Sequence, residues 1–185
     1  RLKRLGRSGL KVSEIGLGCN NFGQRLDLEA TRRVVHRALD LGVTLFDTAD
    51  GYGRRGGSET MLGEALGPRR RDVLIATKFG VAMDDEGVKR GASRHYVMEA
   101  AEASLTRLKT DWIDLYQVHM SDPLTPMEET LRALDDLAQC QESVIETSTE
   151  FRLRRVRRLE FSARSEADST AAASARETAS RSASA

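Results

Sequence analysis

A chain of 185 residues with 39% hydrophobic and 31% charged side chains can bury one core. Its 29 Lys and Arg against 28 Asp and Glu leave a formal charge of +1, so no overall field draws in nucleic acid or an anionic membrane, and neither is expected as a partner. The two cysteines, Cys19 and Cys140, are too few for a disulfide framework and are not spaced as zinc ligands, so no metal site is expected and the cytoplasm is the expected compartment. No apolar run approaches the roughly 20 residues of a bilayer crossing, and the first ten residues lack the apolar centre of a secretory signal.

Up to residue 139 the chain alternates short β-rich runs with helical patterns, the rhythm of βα units around a parallel sheet. The opening LKRLGRSGLKVS predicts a small hairpin turning at residues 7–9, and a first strand follows over residues 14–18. A helix over residues 27–41 takes Asp27 as N-cap, sets Leu28, Val34, Val35, Ala38 and Leu39 on one face, and ends at Gly42. Strand two is VTLFDT, residues 43–48, and helix two is SETMLGEAL, residues 58–66, with Ser58 as cap and Gly67-Pro68 as stop. Strand three is DVLIATKF, residues 72–79, whose apolar centre suits a strand covered on both faces. Helix three spans residues 94–108, strand four is DWIDLYQVH, residues 111–119, and helix four follows Thr125-Pro126 with Met127, Leu131, Leu134 and Leu137 toward the core.

Four such units in 139 residues are half of a (β/α)8 barrel, since eight would need about 280. The expected fold is therefore α/β: a partial TIM barrel of four βα units preceded by a β-hairpin. Residues 140–185 are a separate, atypical tail, because all 15 glycines precede residue 92 and the last proline is Pro126. FRLRRVRRLEF, residues 151–161, predicts a short basic amphipathic helix, and the Ser- and Ala-rich stretch beyond it reads as disordered or weakly helical. The abrupt change after Gln139 suggests a shifted reading frame, and half a barrel leaves exposed sheet edges through which the chain could self-associate.

Right-handed crossovers put every loop that follows a strand on one edge, where barrel enzymes hold their chemistry. Asp47, Tyr52, Lys78 and His119 all fall there. A lysine beside a carboxylate forms a partly desolvated ion pair, and an ammonium near a phenol eases proton donation to an alkoxide. Singly, each residue has a structural explanation as a cap, surface charge, loop anchor or packed histidine; together they suit carbonyl reduction. Cys19 lies near the same edge with no base to activate it, His36 and His95 lie on helices away from it, and Trp112 and Tyr116 read as packing residues. GYGRRGG lacks both the Lys-Ser/Thr ending of a phosphate loop and the spacing of a dinucleotide fingerprint.

FDTADGYGRRGGSETMLGEAL, IATKFG and DWIDLYQVH resemble the corresponding segments of the aldo-keto reductases, and GRSGLKVSEIGLG resembles their N-terminal hairpin and first strand. The resemblance runs from Leu2 to about Gln139. It implies a barrel enzyme that reduces aldehydes and ketones with NADPH, or NADH, with Tyr52 as general acid, Lys78 and Asp47 tuning it, and His119 orienting the carbonyl oxygen. It also implies that Gly18, Cys19, Asn20 and Asp47 border the cofactor. The other readings are an inactive fragment and a regulatory or binding relative, since the family includes channel-associated subunits.

Overall fold

The computed structural model describes residues 1–139 and 155–156. Its N-terminal hairpin pairs β1 (Leu2–Arg4) with β2 (Lys11–Ser13) in antiparallel register. Asp27 caps the first helix as expected: its carboxylate accepts the Ala30 N–H at 2.8 Å, α1 (Leu28–Asp40) starts at the next residue, and Gly42, at φ 77°, lets the chain leave. Four strands, β3 (Leu17–Gly18), β4 (Leu45–Asp47), β5 (Leu74–Phe79) and β7 (Leu115–Val118), form a parallel sheet in the order β3-β4-β5-β7. The helices α2 (Tyr52–Leu66), α3 (Arg94–Arg107) and α4 (Met127–Gln139) alternate with them. This is the expected α/β half-barrel.

The strands are shorter than the sequence suggests, for local reasons. Ser13 and Thr44 exchange hydrogen bonds, backbone to hydroxyl in each direction, at 2.8 and 2.9 Å, so the hairpin closes the entry end of the sheet and β4 starts only at Leu45. A 3-10 turn (Gly67–Asp72) takes up Asp72. Strand four is split at Asp114 into β6 (Trp112–Ile113) and β7. The split arises because the Asp114 carboxylate, not a strand carbonyl, accepts the Ile75 N–H, at 2.9 Å. The shorter β6 pairs instead with β8 (Arg155–Val156), in parallel register. Those two residues form a strand where a basic helix was expected; the rest of that expectation, and the whole of the tail beyond, lies outside the described residues.

Period-2 alternation sorts the strand residues into two faces. Phe46, Ile75, Thr77, Phe79 and Tyr116 are buried in one core with Val35, Leu39, Leu62, Val97 and Leu105 from the helices. Leu45, Leu74, Leu115 and Gln117 lie on the opposite, inner face and are only half-buried. Two helices are rotated relative to the apolar pattern: Val34 on α1 and Met127 and Leu131 on α4 are exposed, while Thr31, Thr130 and Ala133 are buried. Thr130 is admitted to the core because its hydroxyl donates to the Ala92 carbonyl at 2.8 Å.

Candidate active site

The register places Gly18 beside Asp47, Asp47 beside Ala76, and Lys78 beside Gln117, all on the inner face. His119 extends this row, its N–H donating to the Phe79 carbonyl at 2.8 Å. Asp47, Lys78 and His119 thus leave successive strands at one rim. The turn after β4 brings Tyr52 to it: the Asp50 N–H donates to the Lys78 carbonyl at 3.0 Å and the Tyr52 N–H to the Ala49 carbonyl at 3.2 Å.

The four side chains meet. Lys78 Nζ donates to Asp47 Oδ1 and, at 2.8 Å, to the Thr48 carbonyl. The same Nζ lies 5.2 Å from the centroid of the Tyr52 ring, and that ring meets the His119 imidazole edge-on, centroids 5.4 Å apart and planes at 87°. The lysine side chain is 15% exposed against 48% for its aspartate partner, so the ammonium sits in the drier half of the pair. Burial, then the Lys78 charge, hold His119 below the ordinary imidazole value, with Asp47 opposing, so the ring is neutral at pH 7. Its Nδ1 is buried without a hydrogen-bond partner among the described residues.

The remaining predicted positions separate. Gly18 and Asn20 are exposed at the rim, and nothing lies within 4 Å of where a Gly18 Cβ would stand. The Cys19 side chain turns the other way into the core, where burial pushes the thiol far up, and its N–H is taken by the Asp47 carbonyl at 2.8 Å. His36 bonds the Ala65 carbonyl at 3.0 Å and His95 is exposed on α3, both away from the rim. Tyr116 packs on Phe79, and Trp112 lies under the Arg70 guanidinium. Among the described residues no group of three His, Cys, Asp or Glu could hold a metal, and no helix is long and apolar enough to cross a membrane.

Two features escaped the sequence reading. Ser58 does not cap helix two; its hydroxyl donates to the Cys19 carbonyl at 2.7 Å and lies 2.8 Å from the Thr48 hydroxyl, tying the ends of β3 and β4 together. A left-handed turn, residues 53–56 at φ values of 68°, 62°, 66° and 107°, opens α2, so its right-handed part lies beyond residue 56, over the stretch where helix two was expected. Arg54 and Arg55 sit in that turn at a cost of about 1–2 kcal/mol each. Gly53 has no substitute, since a Cβ would come within 2.4 Å of the Phe22 carbonyl oxygen and the Ser58 nitrogen. The cluster of Gly53, Gly56 and Gly57 was the available signal. Behind the turn, Glu59 is fully buried and accepts from Thr77 Oγ1 and, at 2.6 Å, from Arg107 Nε, so the strand residue next to Lys78 is bolted to α2 and α3.

The profile of the Aldo/keto reductase family matches residues 14–141. The chain belongs to the aldo-keto reductase family. It is 42% identical over 141 residues to the uncharacterized oxidoreductase YqkF of Bacillus subtilis, covering 75% of this chain and 45% of that one. It is 39% identical over 140 residues to a probable voltage-gated potassium channel subunit beta of Arabidopsis thaliana, covering 72% and 41%. The aldo-keto reductase AKR11C1 from Bacillus halodurans, solved in its holo form, superposes with a TM-score of 0.72 at 36% identity, over 88% of this chain and 50% of that one. The chain thus spans about half the length of the aldo-keto reductases it matches, and the four strands described above correspond to the first half of a TIM barrel.

Proposed function

We propose that this chain forms the N-terminal half of a carbonyl reductase that converts aldehydes or ketones to alcohols with NADPH, NADH being the alternative, and with Tyr52 as proton donor. The observation that carries this reading is the position of Lys78 Nζ, paired with Asp47 and lying over the Tyr52 ring, with His119 edge-on to that ring. An ammonium at that distance stabilises the phenolate left behind when the Tyr52 proton moves to the substrate oxygen. Asp47 and the Thr48 carbonyl hold the ammonium in place. A neutral His119 offers one N–H to the carbonyl oxygen, orienting it toward Tyr52.

The residues fit the nicotinamide end of such a cofactor: Gly18 has no side chain and open space above it, Asn20 is exposed, and Asp47 keeps a half-exposed carboxylate for a ribose hydroxyl. Cys19 would contribute backbone alone. Bound there, the cofactor supplies the hydride. The partner is thus a small carbonyl compound, and the half-buried inner face supports self-association of the chain through the edges β3 and β7.

Titrating NADPH while following its fluorescence, with gel filtration of the same sample, tests the proposal. The expected result is saturable binding with carbonyl-dependent NADPH loss. Binding without turnover would favour the regulatory reading that the likeness to a channel subunit raises, and absence of binding would leave an inactive fragment.

A further inference from the structure

The rim chemistry uses the inner face of the sheet, but a second concavity opens between α3, the first turn of α2 and the loop after β5. It holds about 220 Å³, several times the roughly 30 Å³ share of one water, and its walls include Asp50, Arg55, Met83, Lys89, Tyr96 and Arg107. Asp50 is 1% exposed, and neither of its carboxylate oxygens has a hydrogen-bond partner among the described residues. The Gly51 and Gly80 N–H groups lie near enough to favour its charged form without completing bonds of normal geometry. A buried carboxylate in this state is costly unless a proton or a cation joins it.

The nearby cations are already engaged. Arg107 Nε donates to Glu59, Arg55 to Asp85 at 2.7 Å, and Lys89 lies 3.7 Å from Glu99. The deepest charges, Asp50, Glu59 and Arg107, therefore leave one negative charge over. Burial, followed by repulsion from Glu59, pushes the Asp50 carboxyl up to about 7, and burial, followed by the Asp50 charge, pushes the Tyr96 and Tyr116 phenols up beside it.

We propose that this cavity binds a small organic cation, a primary ammonium carrying a short alkyl chain, with the ammonium on Asp50. Its N–H groups would complete the two carboxylate oxygens, and its alkyl part would lie against Met83, Ala100, Ala103 and the Tyr96 ring. The site is separate from the proposed reductase chemistry and does not depend on it.

Isothermal titration of the 185-residue chain with ethylammonium chloride, against potassium chloride at equal ionic strength, tests this. Because a proton competes for Asp50, binding should weaken about tenfold from about pH 8 to about pH 6. It should disappear in Asp50→Asn, which keeps the shape of the carboxyl group, and in Ala103→Leu, which narrows the cavity from α3. Absence of saturable heat, an equal response to potassium, or binding that survives both substitutions or ignores pH would overturn the proposal.

Discussion

Tyr52→Phe is expected to lower carbonyl-dependent NADPH oxidation by about 10²–10⁴-fold while leaving the Kd for NADPH within about twofold, the usual size of a general-acid contribution. Expressed as a barrier, the loss is about 3–5 kcal/mol. The substitution removes one hydroxyl and keeps the ring that packs edge-on to His119 at 5.4 Å, so the rim retains its shape and the Lys78 pair with Asp47 is untouched. Steady-state kinetics paired with a fluorescence titration separates the two effects. An equal fall in cofactor affinity would mean that Tyr52 anchors the loop and is not the proton donor. Retained turnover would assign the proton to another group at the rim.

The second large effect lies at the opposite end of the sheet. Asp114→Ala should destabilise the fold by about 3–5 kcal/mol, because it removes the carboxylate paired with the buried Arg70 guanidinium. Asp114 and Arg70 are both buried, and one carboxylate oxygen accepts from Arg70 at 2.7 Å and from the Ile75 N–H at 2.9 Å. Arg70 also donates to the Val73 carbonyl at 3.0 Å and to the Trp112 carbonyl at 3.1 Å. This one pair therefore joins the 3-10 turn to the entry ends of β5 and β6. Thermal unfolding followed by circular dichroism should show Tm falling by more than about 10 °C. Since the pair sits at the entry end and Lys78 at the exit end of β5, the folded fraction should bind NADPH normally. A Tm shift below about 3 °C would show that the pair contributes little net stability.

Much of this arrangement was legible in the chain itself. Asp27 announced a helix start by its position before an apolar periodicity, and its side chain does cap α1. The runs around Phe46 and Ile75 announced buried strands, and both residues are fully buried. The rim residues could be grouped because parallel strands joined by helices all end on one edge, which needs only the element order. Where the reading missed, a tertiary hydrogen bond had overridden a local rule. Ser58 looks like a cap in isolation, yet its hydroxyl serves the Cys19 carbonyl from a neighbouring strand end. Asp114 looks like one more strand position, yet its carboxylate replaces a ladder carbonyl and splits the strand. Met127 and Leu131 fit the apolar stripe of α4, but the helix turns Thr130 and Ala133 inward instead, because the Thr130 hydroxyl finds the Ala92 carbonyl.

The left-handed turn after Tyr52 was the least legible element. Two arginines occupy a backbone region that side chains avoid, and only the contacts of Gly53 with Phe22 and Ser58, together with the Arg55–Asp85 pair, explain why the chain accepts it. Beyond the glycines at 53, 56 and 57, local sequence does not mark these contacts.

The most direct test of the rim is the titration of His119 followed by nuclear magnetic resonance, assigned among the three histidines by its loss in His119→Gln. In the unsubstituted chain its midpoint should lie below 6.5, since burial and the Lys78 charge both disfavour the imidazolium. In Lys78→Met the repulsion disappears while the Asp47 carboxylate remains, so the midpoint should rise. A midpoint at or above 6.5 in the unsubstituted chain, or one that Lys78→Met leaves unmoved, would contradict the convergence of ammonium and imidazole on which the proposed chemistry stands.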